Sequence, residues 1–455
     1  MSAPLDDDMI AWIGAVTGGT EVRAERRSAG ASRAGFAVDV VMPDHSIREL
    51  WLRMDTGFGP QSHTRYTLRR EASVYEALRR TDVRVPVLVA VHPELDAFLS
   101  ERLEGRNWFS EIASAEEQVA VATAFMHQLA TLHALDPAQL ELPGFGTSTR
   151  VTDHVRDELA EWRSQYERIG VPEPVIVLAL RWLHDRLPPD GDWPVVLVQG
   201  DTGPGNFLYA DGSIVAVMDW EMAHLGDAHD DLGWLCVRDL QERFTHLPDR
   251  LRDYERYRGA TIDDDRLRYF RVLAQARCAI GTLAGLHARD NRGEIANHLI
   301  YSTLHVRLLG EALAEADGFE FDASAHLVDD AAETDRSWVY DVALDDLRDV
   351  VLPALGDAFA NRRAKGVARI LKYLRETDRL GPAVEAAEIE DLHAQLGTAV
   401  TDIRSGRDAL CRAIECRTVE HVPALACCLR QAARTTQLLR PAMGALADRH
   451  FSPIR

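Results

Sequence analysis

Three side chains carry the clearest chemical signal in this sequence: Asp201, Asn206 and Asp219. They lie in one stretch, residues 195–221, reading VVLVQGDTGPGNFLYADGSIVAVMDWE. An apolar run enters a polar loop, and two strand-like runs follow at 207–209 and 214–218. Asp211-Gly212 between those runs is a strong two-residue hairpin signal. Such a turn pairs Ala210 with Ser213 and so sets Asn206 opposite Val217. Asp219 then falls two residues further along on the same face, where diagonal neighbours lie roughly 7–8 Å apart. An amide oxygen and a carboxylate would converge there, a donor pair that suits a hard cation such as Mg²⁺. Asp201 enters the same space from the loop. Asp and Asn are also common turn formers. The bracketing by a buried strand before and a hairpin ending in Asp219-Trp220-Glu221 after is what lifts this set above turn chemistry.

Other elements must hold this stretch in place. Near the start, Ser28, Gly30, Ser32 and Gly35 form a small-residue turn before a strand at 36–42. Small residues let backbone N–H groups approach phosphate oxygens, although any hairpin favours them too. Residues 49–55 alternate like a strand and carry Arg53. Residues 68–80 read as an amphipathic helix, with Val74 and Leu78 on one stripe and Glu71 in the early turns. A basic residue on a strand and a carboxylate on the next helix is the arrangement that holds nucleotide phosphates in kinases. Further strands are expected at 85–91 and 97–101, so the first ~100 residues form a small mixed lobe. Helices follow at 117–136, 153–168 and 174–186. His127 and His133 read as structural. In HLGDAHDDLGW (224–234), Asp230 or Asp231 is expected to cap the next helix or prop the loop at Asp201.

The remaining chain is helical. Residues 237–317 are mostly helix, 320–336 form an acidic linker, and 337–455 form a separate block. That block has candidate helices at 339–361, 365–377, 384–404, 406–416 and 421–440. Packing, homo-oligomerisation or cover for a substrate cleft are its candidate roles.

Composition narrows the class. At 455 residues the chain is long enough for two to three domains. Hydrophobic content of 46% with 27% charged residues is that of a globular protein. A net charge of −21 argues against nucleic acid or an anionic membrane as main partner. The start MSAPLDDDMI has no secretory pattern, and no apolar run reaches membrane-spanning length, so a cytoplasmic location is expected. The six cysteines follow no disulfide or zinc spacing and are expected to be buried thiols. Lys365 is the first lysine, so arginine can stand where lysine is usual.

The sequence resembles the aminoglycoside-phosphotransferase-like kinases over roughly residues 10–319. The resemblance rests on Gln199-Gly200-Asp201 through Asn206, on Asp219-Trp220-Glu221, on Leu225-Gly226-Asp227 and on Asp231-Leu232-Gly233-Trp234. It looks most like the branch fused to acyl-CoA dehydrogenases, which is implicated in phosphorylating 4-hydroxyacyl-CoA thioesters. The C-terminal block resembles a small helical family whose members accompany such kinases. The resemblance implies an α+β, protein-kinase-like bilobal fold plus a C-terminal all-α domain: N-lobe 1–103, C-lobe 104–319, helical domain 337–455.

It also implies roles. Asp201 would orient the substrate hydroxyl and accept its proton. Asn206 and Asp219 would ligate Mg²⁺. Arg53, at the position of the family's strand lysine, would hold the ATP phosphates, with Glu71 as its helix partner. Gly30 and Ser32 would lie in the phosphate-covering loop, and the backbone at Glu101–Leu103 would read the adenine. The acceptor would be a small-molecule alcohol, first a hydroxyacyl-CoA, with Arg102, Arg106, Arg163 and Arg168 available to meet it. An aminoglycoside or amino-alcohol is the alternative acceptor. A nucleotide-binding scaffold without catalysis is the alternative outside enzymes, and Gln199, where the family usually has His, is the feature that favours it.

Overall fold

The computed structural model describes residues 5–27, 33–57, 61–62, 64–191, 193–288 and 295–455. Its helices are α1 (Asp7–Thr17), α2 (Leu68–Leu78), α3 (Ala115–Ala134), α4 (Val151–Ile169), α5 (Pro174–Asp185), α6 (Ala228–Gln241), α7 (Leu247–Arg258), α8 (Asp264–His287), α9 (Ile295–Ala316), α10 (Ser337–Asp346), α11 (Leu352–Ala354), α12 (Ala358–Leu396), α13 (Ile403–Glu415) and α14 (His421–Met443). Its strands are β1 (Glu21–Arg27), β2 (Ala34–Val41), β3 (Ile47–Met54), β4 (Leu88–Val91), β5 (Ala97–Glu101), β6 (Val196–Val198), β7 (Phe207–Ala210), β8 (Ser213–Val217) and β9 (His224–Gly226). Two compact units form. One comprises residues 1–154, 189–267 and 452–455, the other 155–188 and 268–451.

The first unit holds a five-stranded antiparallel sheet in the order β1-β2-β3-β5-β4. Strand period two sorts its side chains. Phe36, Val38, Leu50, Leu52 and Leu99 go to one face and pack on Met9 and Ile13 of α1. Ala37, Trp51, Arg53, Phe98 and Ser100 go to the other and line a cleft of about 1010 Å³. α2 starts where Thr67 accepts from the Arg70 amide, and its buried stripe includes Glu71, Val74 and Leu78. Around α3 a second core forms, with Phe125 stacked on Phe207 at 4.5 Å. β1 was not anticipated from the sequence. Its sequence EVRAERR is exposed along nearly its whole length, so an edge strand with charges on both faces left no periodic signal.

The second unit is helical. α5 (PVIVLALRWLHD) is apolar nearly all round and must be covered. α9, α13 and α14 pack against it. A Cβ on Gly310 of α9 would fall 2.8 Å from Leu429 Cδ2 of α14. Contacts therefore do not break at the expected linker 320–336. The helices of 155–188 and 268–316 group with the C-terminal block because their apolar faces are matched there. Two further expectations fail. α12 is one 39-residue helix running through Pro382, not two. α10 stops at Asp346 and passes into a π-turn, Leu347–Val351. All six cysteines are free; Cys416 is exposed and Cys278 half-buried, against the expectation of buried thiols throughout.

Candidate active site

The hairpin sets the geometry of the site. Asp211 (φ 49°) and Gly212 (φ 73°) make the expected tight turn, and Ala210 pairs with Ser213. Beyond it the register slips by one at a bulge that leaves Val215 unpaired, so Tyr209 faces Ile214 and Leu208 faces Ala216. Phe207, not Asn206, therefore lies opposite Val217, and the Asn206 carbonyl accepts from the Met218 amide at 2.9 Å. Asp219 does not continue the strand either. It adopts a left-handed backbone, φ 60°, which Asp tolerates better than most residues. Its carboxylate turns to Arg53: Nη1 lies 2.9 Å from Oδ1.

Arg53 is the hub of a buried ion cluster. The same Nη1 lies 2.9 Å from Glu71 Oε1, and Nη2 lies 3.4 Å from Glu221 Oε2. Glu71 Oε1 also accepts from the Trp220 amide at 3.3 Å and the Tyr75 hydroxyl at 3.3 Å. Burial pushes the Glu71 carboxyl up to about 8, with Asp219 and Glu221 adding repulsion against the attraction of Arg53. Among the described residues its buried Oε2 has no hydrogen-bond partner. Three carboxylates share this guanidinium, so the most desolvated of them holds a proton most readily. Arg33, absent from the sequence reading, adds a second cation: its Nη1 lies 2.9 Å from Asp55 and its Nε 3.7 Å from Glu221.

Asp201 and Asn206 close the other side. Asn206 Nδ2 donates to the Asp201 carbonyl at 2.6 Å and to its Oδ2 at 2.7 Å. With both amide protons used, Oδ1 is the atom left to ligate a metal. Burial raises the Asp201 carboxyl to about 6, while Arg238, 3.5 Å away through Nε, opposes that rise. Arg238 is a further neighbour that spacing could not show. The loop wraps it closely, since a Cβ on Gly203 would sit 2.6 Å from Arg238 Cβ.

Gln199 braces both halves. Its Nε2 donates to the carbonyls of Met218 (3.0 Å) and Asp219 (2.8 Å). Its Oε1 accepts from the Asp201 amide (2.9 Å). A neutral imidazole offers one donor and one acceptor, whereas this amide supplies two donors and an acceptor. Beneath it lies Asp231, which accepts from the amides of Gln199 and Gly200, both at 2.9 Å, from the Thr202 hydroxyl, and from His133 Nε2 at 2.9 Å. His133 Nδ1 meets the Tyr254 hydroxyl at 2.8 Å. Asp231 thus props the loop, while Asp227 caps α6. Gly200 is required: at φ 89° its Cβ would lie 2.3 Å from the Met222 carbonyl oxygen.

Glu101 and Leu103 line the same cleft as Arg53, together with Leu208 and Met218. Gly30 and Ser32 lie outside the described residues. Arg102 is paired with Asp39 and Glu49, and Arg106 with Glu117. Arg163 and Arg168 belong to the second unit. Among the described residues no group of three or more His, Cys, Asp or Glu could hold a metal. Mg²⁺ needs no such group, since it takes one or two protein oxygens and completes its shell with phosphate and water. Asn206 Oδ1 and Asp219 fit that demand.

A small antiparallel sheet beside helices, with an Arg–Glu pair on the sheet side and an Asp-Asn-Asp set on the hairpin side, is the arrangement of a kinase-like fold. Residues 57–270, just under half of the chain, match the model of the phosphotransferase enzyme family. Acyl-CoA dehydrogenase family member 11 of Mus musculus is 26% identical over 165 residues, 33% of this chain and 21% of the mouse protein. The Homo sapiens protein of that name is 26% identical over 185 residues, 38% of this chain and 23% of its own length. The chain thus spans less than a quarter of these relatives. A crystal structure from Ralstonia eutropha, assigned to the aminoglycoside phosphotransferases, shares the fold: TM-score 0.56, 19% identity, covering 70% of this chain and all of that one. Among the described residues no helix is long and apolar enough to cross a membrane.

Proposed function

We propose that this protein transfers the γ-phosphoryl group of ATP to the hydroxyl of a small molecule, with a hydroxyacyl-CoA as first acceptor class. The observation that carries this reading is the Arg53 guanidinium bridging Glu71 and Asp219, each at 2.9 Å, in a site where Asn206 is hydrogen-bonded to Asp201. The acyl-CoA acceptor is supported by the names of the relatives alone.

The residues divide the work. Arg53, fixed by Glu71, holds the α- and β-phosphates, and the cleft beside Glu101, Leu103 and Met218 takes the adenine. Mg²⁺ bound by Asn206 and Asp219 would neutralise the β- and γ-oxygens. Asp201 aligns the acceptor hydroxyl and takes its proton. The acceptor oxygen–phosphorus bond forms as the bond from the γ-phosphorus to the bridging oxygen breaks, and ADP leaves with that electron pair. Positioning and charge stabilisation supply most of the rate.

ADP release from Mg²⁺–ATP should be screened over hydroxyacyl-CoAs, aminoglycosides and amino-alcohols. Turnover with a hydroxyacyl-CoA is expected, and the Asp201→Ala variant should lose about 10²–10⁴-fold in kcat with ATP affinity kept. Near-normal turnover by that variant overturns the mechanism. Turnover with aminoglycosides alone overturns the acceptor class.

A further inference from the structure

Residues 338–379, within the second unit, form a helical hairpin that hides almost nothing. α10 and its π-turn run out to Pro353, the chain reverses at 355–357, and the first half of α12 runs back. Asp341 and Arg375 pair across the hairpin at 2.9 Å. Of these 42 residues, Ala364 alone is buried. A helix pair of this length gains its stability from an apolar face set against something. Here the apolar side chains meet solvent: Trp338 is 65% exposed and Phe359 59%, joined by Val339, Val342, Val350, Val351, Val367 and Leu374. These are eight of the eighteen exposed large hydrophobic side chains among the described residues.

The two limbs carry opposite charge. Residues 358–375 hold Arg362, Arg363, Lys365, Arg369, Lys372 and Arg375 and no carboxylate, and both lysines of the chain are among them. Arg362, Lys365, Arg369 and Lys372 recur at three- and four-residue steps, one stripe of α12 turned away from Val367 and Leu374; within it Arg369 donates to Asn297 of α9. Residues 337–357 hold Asp341, Asp345, Asp346, Asp349 and Asp357 against Arg348 alone. Their present pairs, Arg348 with Asp345 and Asp349, are exposed and readily exchanged for others.

We infer that this hairpin is a two-fold docking surface for a second copy of this chain. The basic limb of each copy lies on the acidic limb of the other, where Trp338 and Val342 share a face with Asp345 and Asp346. One surface that carries both halves of its own complement is what an isologous contact requires. An anionic lipid surface would attract one limb and repel the other.

Sedimentation velocity of the full chain tests this. The wild type should dimerise with concentration, and less so as salt rises. Charge reversal in Arg362→Glu/Arg369→Glu, or in Asp345→Arg/Asp346→Arg, should weaken the dimer by about tenfold or more. An equimolar mixture of the two variants should associate again. Trp338→Asp should be monomeric, with a circular dichroism melt like the wild type. A monomeric wild type overturns the inference. So does a dimer indifferent to these substitutions, a mixture that fails to recombine, or flotation with phosphatidylserine vesicles by a protein that stays monomeric.

Discussion

Gln199 uses both protons of its amide nitrogen and accepts through its amide oxygen, tying the Asp201 amide to the carbonyls of Met218 and Asp219. Gln199→Leu would leave these buried groups unpaired at a cost of about 1–3 kcal/mol. Gln199→His would restore one donor and one acceptor and should fall between the two in thermal melting. A melt of Gln199→Leu equal to wild type would refute the bracing role. At the next residue of the motif, the Asp201 carboxyl is raised to about 6 by burial. A base must be ionised, so kcat should fall as pH drops through that value. A rate flat from pH 5 to pH 8 would remove Asp201 from proton transfer.

The elements that carry these side chains were unevenly legible in the sequence. Asp201, Asn206 and Asp219 could be read because the proposed chemistry demands those residue types in a fixed loop and hairpin. The turn at Asp211-Gly212 followed from local dihedral preference. The bulge at Val215 could not be read, since every residue of that run is an ordinary strand former. The prop role offered for Asp230 or Asp231 falls to Asp231, but its link to His133, 98 residues distant, could not be read. The continuity of α12 was hidden by Gly381-Pro382, a local stop signal that tertiary packing overrides. Asp231 now yields the strongest element-level expectation. Asp231→Ala should cost about 3–5 kcal/mol, read by urea unfolding, because the loop amides and His133 lose a common acceptor. A loss below 1 kcal/mol would mean the loop stands without it.

For the whole molecule, the Arg53 cluster couples stability to pH. Glu71 is raised from 4.5 to about 8 by burial, so in that window the folded state binds more protons than the unfolded one. The stabilisation is full below pH 4.5 and is lost as pH rises through about 8. Urea unfolding of the wild type against Glu71→Gln should show the difference in stability moving against the wild type as pH climbs. No pH dependence of that difference would mean Glu71 is ionised throughout.

Pro382 bears on the hairpin that begins the C-terminal block. It has no N–H to offer the Asp378 carbonyl four residues earlier. Beyond it, Val384, Glu388 and Leu392 are buried, so that half of α12 is clamped. Just before it, Leu380 is buried in one cluster with Val384 and Leu438, and Tyr373 packs against them. The missing bond thus falls inside the clamped stretch of α12, where side chains on both sides of the proline keep the helix continuous. The proline is therefore tolerated by the packing around it, and the exposed limb begins further toward the N-terminus of α12 than the proline itself.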